Sequence, residues 1–290
     1  MTIHQKSSLD ETAQGLSGDS PRQVQQPPQG IAIQNVNWIG LRTLYLKEVR
    51  RFMKVQLQTV WAPAITTLLF LVIFTVALGR SGKLVLGVPF ADFLAPGLII
   101  MGMLQNAFAN SSFALLVGKI QGTIVDYLMP PLSNAELLVA LVGGAVTRSI
   151  MVGFAVWMAM VLWPGVHVSI SNPWAVIWFG LLGSSLMAIG GVITSIWAEK
   201  FDHAATISNF VIAPLALLSG TFYSVDRLSP VFQAISHANP FFYIISGFRY
   251  GFLGQSDSPV IAGAILLLVV NIIFALTAYY LLKSGWKLKN

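Results

Sequence analysis

The sequence predicts an all-α integral membrane protein with six transmembrane helices, an amino-terminal interfacial helix and a re-entrant helical hairpin before the last span. Three observations predict this class. The first is composition: the 290 residues are 55% hydrophobic and only 10% charged, with a mean hydropathy of +0.72. Soluble chains carry about 25% charged residues, and one aqueous core of this size could not hide so much apolar surface. The second is a series of uncharged apolar runs, each long enough to cross a bilayer. The third is the placement of Lys and Arg, which changes sharply from one interhelical segment to the next.

Taken in order, residues 1–35 are rich in Gln, Ser and Pro and hold no apolar run. Such a segment cannot bury enough surface to offset the entropy of ordering, so it is expected to be a disordered cytoplasmic tail. It also lacks the apolar stretch of a secretory signal, so cleavage is not expected. From Trp38 to Lys54, Trp38, Leu41, Tyr45, Val49 and Phe52 recur at helical spacing, while Lys47, Arg50, Arg51 and Lys54 fall on the other side. A basic face opposite an aromatic and aliphatic stripe suits a helix lying in the membrane interface. A plain cytoplasmic extension of the first span is the alternative.

A crossing needs about 20 apolar residues to cover about 30 Å of hydrocarbon. Runs 57–79, 93–118, 173–198, 204–225 and 259–282 each qualify without a charge. The remaining span is assigned to 137–163, within a longer helix from about Asn134, with Arg148 as its interruption. That arginine is expected to snorkel towards the cytoplasmic boundary. Residues 36–290 thus form one transmembrane domain.

Between Arg227 and Gln255 the chain is apolar and aromatic, but His237, Asn239-Pro240 and Arg249 cut it into pieces too short to cross. This reads as the re-entrant or interfacial hairpin. Its Phe241, Phe242, Tyr243, Phe248, Tyr250 and Phe252 suit an interfacial belt, with contact to a transported molecule as the second possibility.

Six crossings place both termini on one side. With that side cytoplasmic, eleven of the 17 Lys and Arg residues lie inside, four (Arg80, Lys83, Arg227 and Arg249) lie outside, and Lys6 and Arg22 belong to the tail. The bias orients both termini into the cytoplasm of a multi-pass protein and accounts for the +6 net charge without a nucleic-acid partner.

Several function classes are disfavoured. There is no cysteine, and His4, His167, His203 and His237 show no metal-ligand spacing. No Asp, Glu, Lys or His falls at the middle of a span, which argues against an ion-driven carrier. Gly82-Lys83 and Gly118-Lys119 lack the rest of a phosphate-binding loop, so no cofactor is expected on this chain. A channel's carbonyl filter or charged ring is also missing. Asp92, Asp126, Glu136, Glu199, Asp202, Asp226 and Asp257 form no paired cluster for metal or base work. A membrane transferase or ATP-independent scramblase of lipid-linked sugars therefore stands only as the alternative reading.

Polar groups do collect in the second span, at Gln105, Asn106, Asn110, Ser111 and Ser112. They serve either as interhelical hydrogen bonds or as a lining for a polar solute. Asn110-Ser111-Ser112 fits a glycosylation acceptor, but its place in a span sets that aside. In the fourth span, Gly180, Ser184 and Ala188 permit close helix approach. The segments 119–136 and 199–203 are compact, charged and cytoplasmic.

The stretch Ala213–Tyr250 resembles the signature of ABC-2 type permeases, the membrane subunits of bacterial ATP-binding-cassette exporters. Pro214-Leu215, Ser219, Gly220, Phe222, Leu228 with Pro230, Asn239, Pro240 and the later Arg249 carry the likeness. Ser229 intervenes before Pro230, and Tyr223-Ser224 stands where a proline often follows the aromatic. The likeness extends from about Trp38 onward and includes "PLSNAELLVA" after the second span. It is similar to permeases that export polysaccharides, lipo-oligosaccharides or drugs.

The resemblance implies a homodimer in the cytoplasmic membrane with two copies of a separate ATPase, which would hold the ATP. Lys119, Gln121, Asp126, Pro130, Glu199, Lys200 and Asp202 would couple to that ATPase. Gln105, Asn106, Asn110, Ser219, Phe222 and Tyr223 would line the translocation path. The cargo would be a glycan, glycolipid or drug-like amphiphile, with export as the direction implied by likeness alone.

Overall fold

The computed structural model describes residues 36–78, 84–163 and 165–288. The expected tail, and the predicted outside cations Arg80 and Lys83, lie outside the described residues. Among the described residues, six helices are long and apolar enough to cross a membrane: Leu57–Ala77, Phe90–Ile120, Asn134–Val161, Pro173–Trp197, Phe201–Leu218 and Val260–Ser284. The fold is all-α, with one short antiparallel ribbon.

The chain begins with α1 (Trp38–Met53), capped by the Asn37 side chain, which accepts from Gly40 N at 2.9 Å. A π-helical turn, Leu57–Trp61, leads into α2 (Ala62–Leu78). The ribbon β1 (Leu84–Val85) and β2 (Val88–Pro89) precedes the long α3 (Phe90–Ile120). The short α4 (Val125–Leu128) leads to α5 (Asn134–Val161), started by a reciprocal Ser133–Glu136 capping box. Then come α6 (Pro173–Trp197), α7 (Phe201–Ile207), a second π turn (Ser208–Ile212) and α8 (Ala213–Leu218). Two helices, α9 (Pro230–Ala238) and α10 (Pro240–Leu253), meet at Asn239 before α11 (Val260–Ser284).

Both π turns sit just ahead of a proline, Pro63 and Pro214. A proline ring collides with the carbonyl four residues back and lacks an N–H. Widening that turn, which contains Thr59 in one case and Phe210 in the other, lets the helix continue through the proline.

Helix α3 is the centre of the bundle. At about 1.5 Å per residue it reaches about 46 Å, beyond the roughly 30 Å of hydrocarbon. Most of its surface is covered by α5, α6 and α10. Glycines and serines bring α6 close: Gly183 fits between Leu104 and Ile244, and Gly191 lies against the α3 backbone. Ser184 Oγ and Ser149 Oγ are 2.7 Å apart, and Ser149 donates onward to Met103 O at 2.9 Å. The small-residue stripe anticipated at Gly180, Ser184 and Ala188 is packed: Gly180 lies against Met103 and Phe248, Ser184 and Ala188 are buried, and Gly183 and Gly191 add further close approaches. By contrast, α2 and α11 leave large apolar side chains exposed, among them Ile65, Leu69, Ile261 and Ile265. Such faces suit lipid or a partner helix rather than water.

The ends of the helices separate cleanly. One end gathers α1, α4, the start of α5, the α6–α7 turn and the tail of α11. Asn37 reaches Pro131 O and Glu136, and Lys287 meets Glu199 at 2.7 Å. At the other end lie the ribbon, Asp92 and the loops flanking α10. The first and last described segments therefore share an end, as an even number of crossings requires.

Three expectations change in detail. The buried line of α1 is Leu44, Glu48 and Phe52, whereas Trp38, placed on the apolar stripe, is 71% exposed. The fifth span stops at Leu218 rather than running to residue 225, because the chain turns at Gly220 (φ +82°), a left-handed conformation that favours glycine. Arg148 does not snorkel: it lies midway along α5 and donates to Asn106 Oδ1 on α3 at 2.8 Å. An inward hydrogen bond to a neighbouring helix takes up part of its donor capacity and holds it inside the bundle.

Candidate functional site

A cavity of about 850 Å³ lies between α2, α3 and the loop after α8. Phe70, Phe74, Leu217 and Phe222 supply apolar walls, and Gln105 and Asn106 supply polar ones. The rings of Phe74 and Phe222 are 4.7 Å apart. An apolar hollow with a few placed polar groups is the usual character of a small-molecule site.

The loop that delivers Phe222 is held by a buried polar knot. Asn239 Nδ2 donates to Leu215 O at 2.9 Å and to Ser219 Oγ at 2.7 Å, and its Oδ1 caps α10 at Phe241 N. Arg249 Nη2 donates to Gly220 O at 2.7 Å, while Nη1 pairs with Asp257 at 2.9 Å. Its guanidinium also covers the Phe93 ring at 3.9 Å. Ser224 donates to the other oxygen of Asp257 at 2.9 Å. Four separate stretches of chain are thereby fixed around residues 219–224.

At the charged end, α4 is tied to α1 and α3. Tyr127 donates to Glu48 Oε1 at 3.2 Å, Glu48 pairs with Arg51 at 2.8 Å, and Arg51 donates to Asn110 O at 2.9 Å. Lys47 lies 3.8 Å above the Tyr127 ring. Burial, reinforced by the Glu48 carboxylate, pushes the Tyr127 hydroxyl up to about 12. The phenol therefore stays protonated and remains a donor. Nearby, the hydrogen bond and charge of Lys287 hold Glu199 below the usual carboxylate range.

The model of the ABC-2 type transporter family matches residues 40–253, most of the described chain. The chain belongs to the ABC-2 type transporter family. This ABC-2 protein is 34% identical over 254 residues to the "Inner membrane transport permease YadH" of Escherichia coli K12, covering 87% of the present chain and 98% of that relative. It is 25% identical over 267 residues to the "Nodulation protein J" of Rhizobium leguminosarum bv. trifolii, covering 91% and 97%. It is a permease subunit of a membrane transporter, resemblance and comparison agreeing on that class.

Within this ABC-2 permease, the residues anticipated for a path separate into two groups. Gln105, Asn106 and Phe222 meet at the cavity. Asn110 instead accepts from Arg51, Ser219 is bonded inside the knot, and Tyr223 donates to Leu217 O at 3.1 Å. Among the family-motif residues, Ser219, Gly220, Asn239 and Arg249 join the knot directly, Pro240 starts α10, Pro214 follows the second π turn and Phe222 faces the cavity.

The residues anticipated for coupling collect at the charged end. Gln121, Asp126, Pro130, Glu199, Lys200 and Asp202 are exposed there. Lys119 is the exception, because its ammonium turns inward and caps α6 through Ile196 O at 2.8 Å and Ala198 O at 2.6 Å. Sequence reasoning did not single out Glu48, Tyr127 or the Arg249–Asp257 pair. For Glu48 a signal existed, since it is the lone acid on an otherwise basic helix and is spaced four residues from Leu44 and Phe52.

Proposed function

We propose that this permease forms the translocation path of an ABC exporter for a glycan, glycolipid or drug-like amphiphile, working as a homodimer with two copies of a separate ATPase. The single observation that carries the reading is the cavity between α2 and α3, whose aromatic and amide lining suits an amphiphile. The path residues are Gln105, Asn106 and Phe222. The exposed apolar faces of α2 and of the Phe201–Leu218 run, which flank this cavity, are where the second copy would close it.

The charged end is the cytoplasmic end in this reading, which puts both termini inside; residence in the inner membrane is supported by the relative's name "Inner membrane transport permease". The α9–α10 pair is re-entrant from the outer face. This chain binds no cofactor, and ATP sits on the partner. ATP binding draws the ATPase pair together, α4 and the 199–203 turn receive the movement, and the Tyr127–Glu48–Arg51–Asn110 chain passes it to α3.

Co-expression with the ATPase encoded beside the gene is expected to yield a detergent-stable complex that moves cargo in proteoliposomes only with ATP. Asp126→Lys is expected to weaken the complex at least about tenfold in a pull-down titration, the scale of a desolvated charge pair turned repulsive. Glu199→Lys breaks the Lys287 pair as well, so the swap Glu199→Lys with Lys287→Glu restores the internal pair while leaving docking impaired. ATP-independent transport by the permease alone would defeat the reading.

A further inference from the structure

Charge is unevenly balanced where α1, α3 and α5 meet. Arg51 has Glu48 as its counter-ion, 2.8 Å away. Arg148 has an amide oxygen, Asn106 Oδ1, at 2.8 Å, and among the described residues it forms no ion pair with a carboxylate. Its Nε is buried with no hydrogen-bond partner, and so is Asn110 Nδ2 one helical turn from Asn106. Arg51 takes up the carboxylate of this corner, Glu48, and leaves none for Arg148, while two buried donors, Arg148 Nε and Asn110 Nδ2, are unfilled. Away from bulk water such a corner strongly favours an anion.

Asn106 stands between this corner and the cavity: it lines the hollow and its oxygen occupies the place on Arg148 that an anionic oxygen would take. The other polar groups of the wall, Gln58, Thr66, Thr67 and Gln105, are uncharged. Nothing else on the wall therefore competes for an anion or repels one.

We propose that Arg148, reached through Asn106 and supported by Asn110, is the binding site for the anionic group of an amphiphilic cargo, a phosphate or carboxylate, whose apolar part lies against Phe70, Phe74 and Phe222. This deepens the transport reading and rests on it for the word cargo. Arg148 is a specificity-determining residue, and glycans or drugs without an anionic group are poor ligands.

The test is thermal unfolding of the purified permease in maltoside detergent with dodecyl phosphate as probe. Dodecyl phosphate is expected to raise the midpoint by several degrees, whereas dodecanol, inorganic phosphate and phosphatidylglycerol at equal concentration are not. Asn106→Asp supplies Arg148 with an internal carboxylate; the variant is expected to fold at least as stably without probe and to weaken the half-saturating dodecyl phosphate concentration about tenfold or more. Arg148→Lys keeps part of the effect. Equal shifts from dodecanol would overturn the anion site, equal shifts from phosphatidylglycerol would assign it to a resident lipid and overturn the cargo role, equal shifts from inorganic phosphate would make it a free-anion site, and wild-type affinity in Asn106→Asp would remove Arg148 from it. The readout needs no ATPase, so failure to isolate an ATPase complex would count against the transport reading alone.

Discussion

Arg249→Leu is expected to destabilise the permease by about 3–5 kcal/mol, the cost of removing one member of a buried pair and leaving the other charged and alone. Both side chains of the Arg249–Asp257 pair are 1% exposed. Losing the guanidinium also strips Gly220 O of its donor and uncovers Phe93. The damage is local to the loop that carries Phe222, so transport should fail even in protein that still inserts. Detergent melting curves and size-exclusion profiles measure the first effect. The double variant Arg249→Leu with Asp257→Leu should be less destabilised than the sum of the two single variants, because the orphaned charge disappears. Additive losses would show that the pair is not coupled. The exposed Lys287–Glu199 pair gives the contrast, because solvent screens it and breaking it should leave the melting curve almost unchanged.

Gly191→Leu is expected to separate α6 from α3. A Cβ at residue 191 would sit 2.7 Å from Phe108 O and 2.9 Å from Ser112 N, backbone atoms of α3 that cannot rotate away. Overpacking of this kind costs about 1–3 kcal/mol even for modest additions, and leucine adds four carbons to a contact between rigid rods. The adjoining Gly190 has open space around its Cβ position, so Gly190→Ala should be neutral or gain up to about 1 kcal/mol of helix propensity. Opposite outcomes at adjacent residues, read as melting temperature and as amide exchange along α3, would establish that backbone contact decides the effect. Equal tolerance at both positions would refute the packing of α6 on α3.

The knot around Ser219, Asn239 and Arg249 explains why a short signature was readable in the sequence: each of its residues satisfies a backbone group or cap that side-chain chemistry of another type would leave bare. The same signature gave no indication of Asp257, which reaches Arg249 from the loop before α11. Nor could Glu48 and Tyr127, 79 positions apart, be paired from periodicity, since the helical stripe on α1 is apolar on two adjacent lines and only the packing against α5 chooses between them.

By itself the sequence determined the solvent, the class and the six crossings. These follow from the length of apolar runs and from a family signature, both of which are properties of the chain read in one dimension against a slab of fixed thickness. It also marked Arg148 as an anomaly within a span. Only the tertiary structure decided which way that arginine points, which polar residues of the second span face the cavity and which are used to hold helices together. Those outcomes depend on the rotation of each helix about its axis, and for helices apolar on every side the hydropathy pattern leaves that rotation free until neighbouring backbones come into contact.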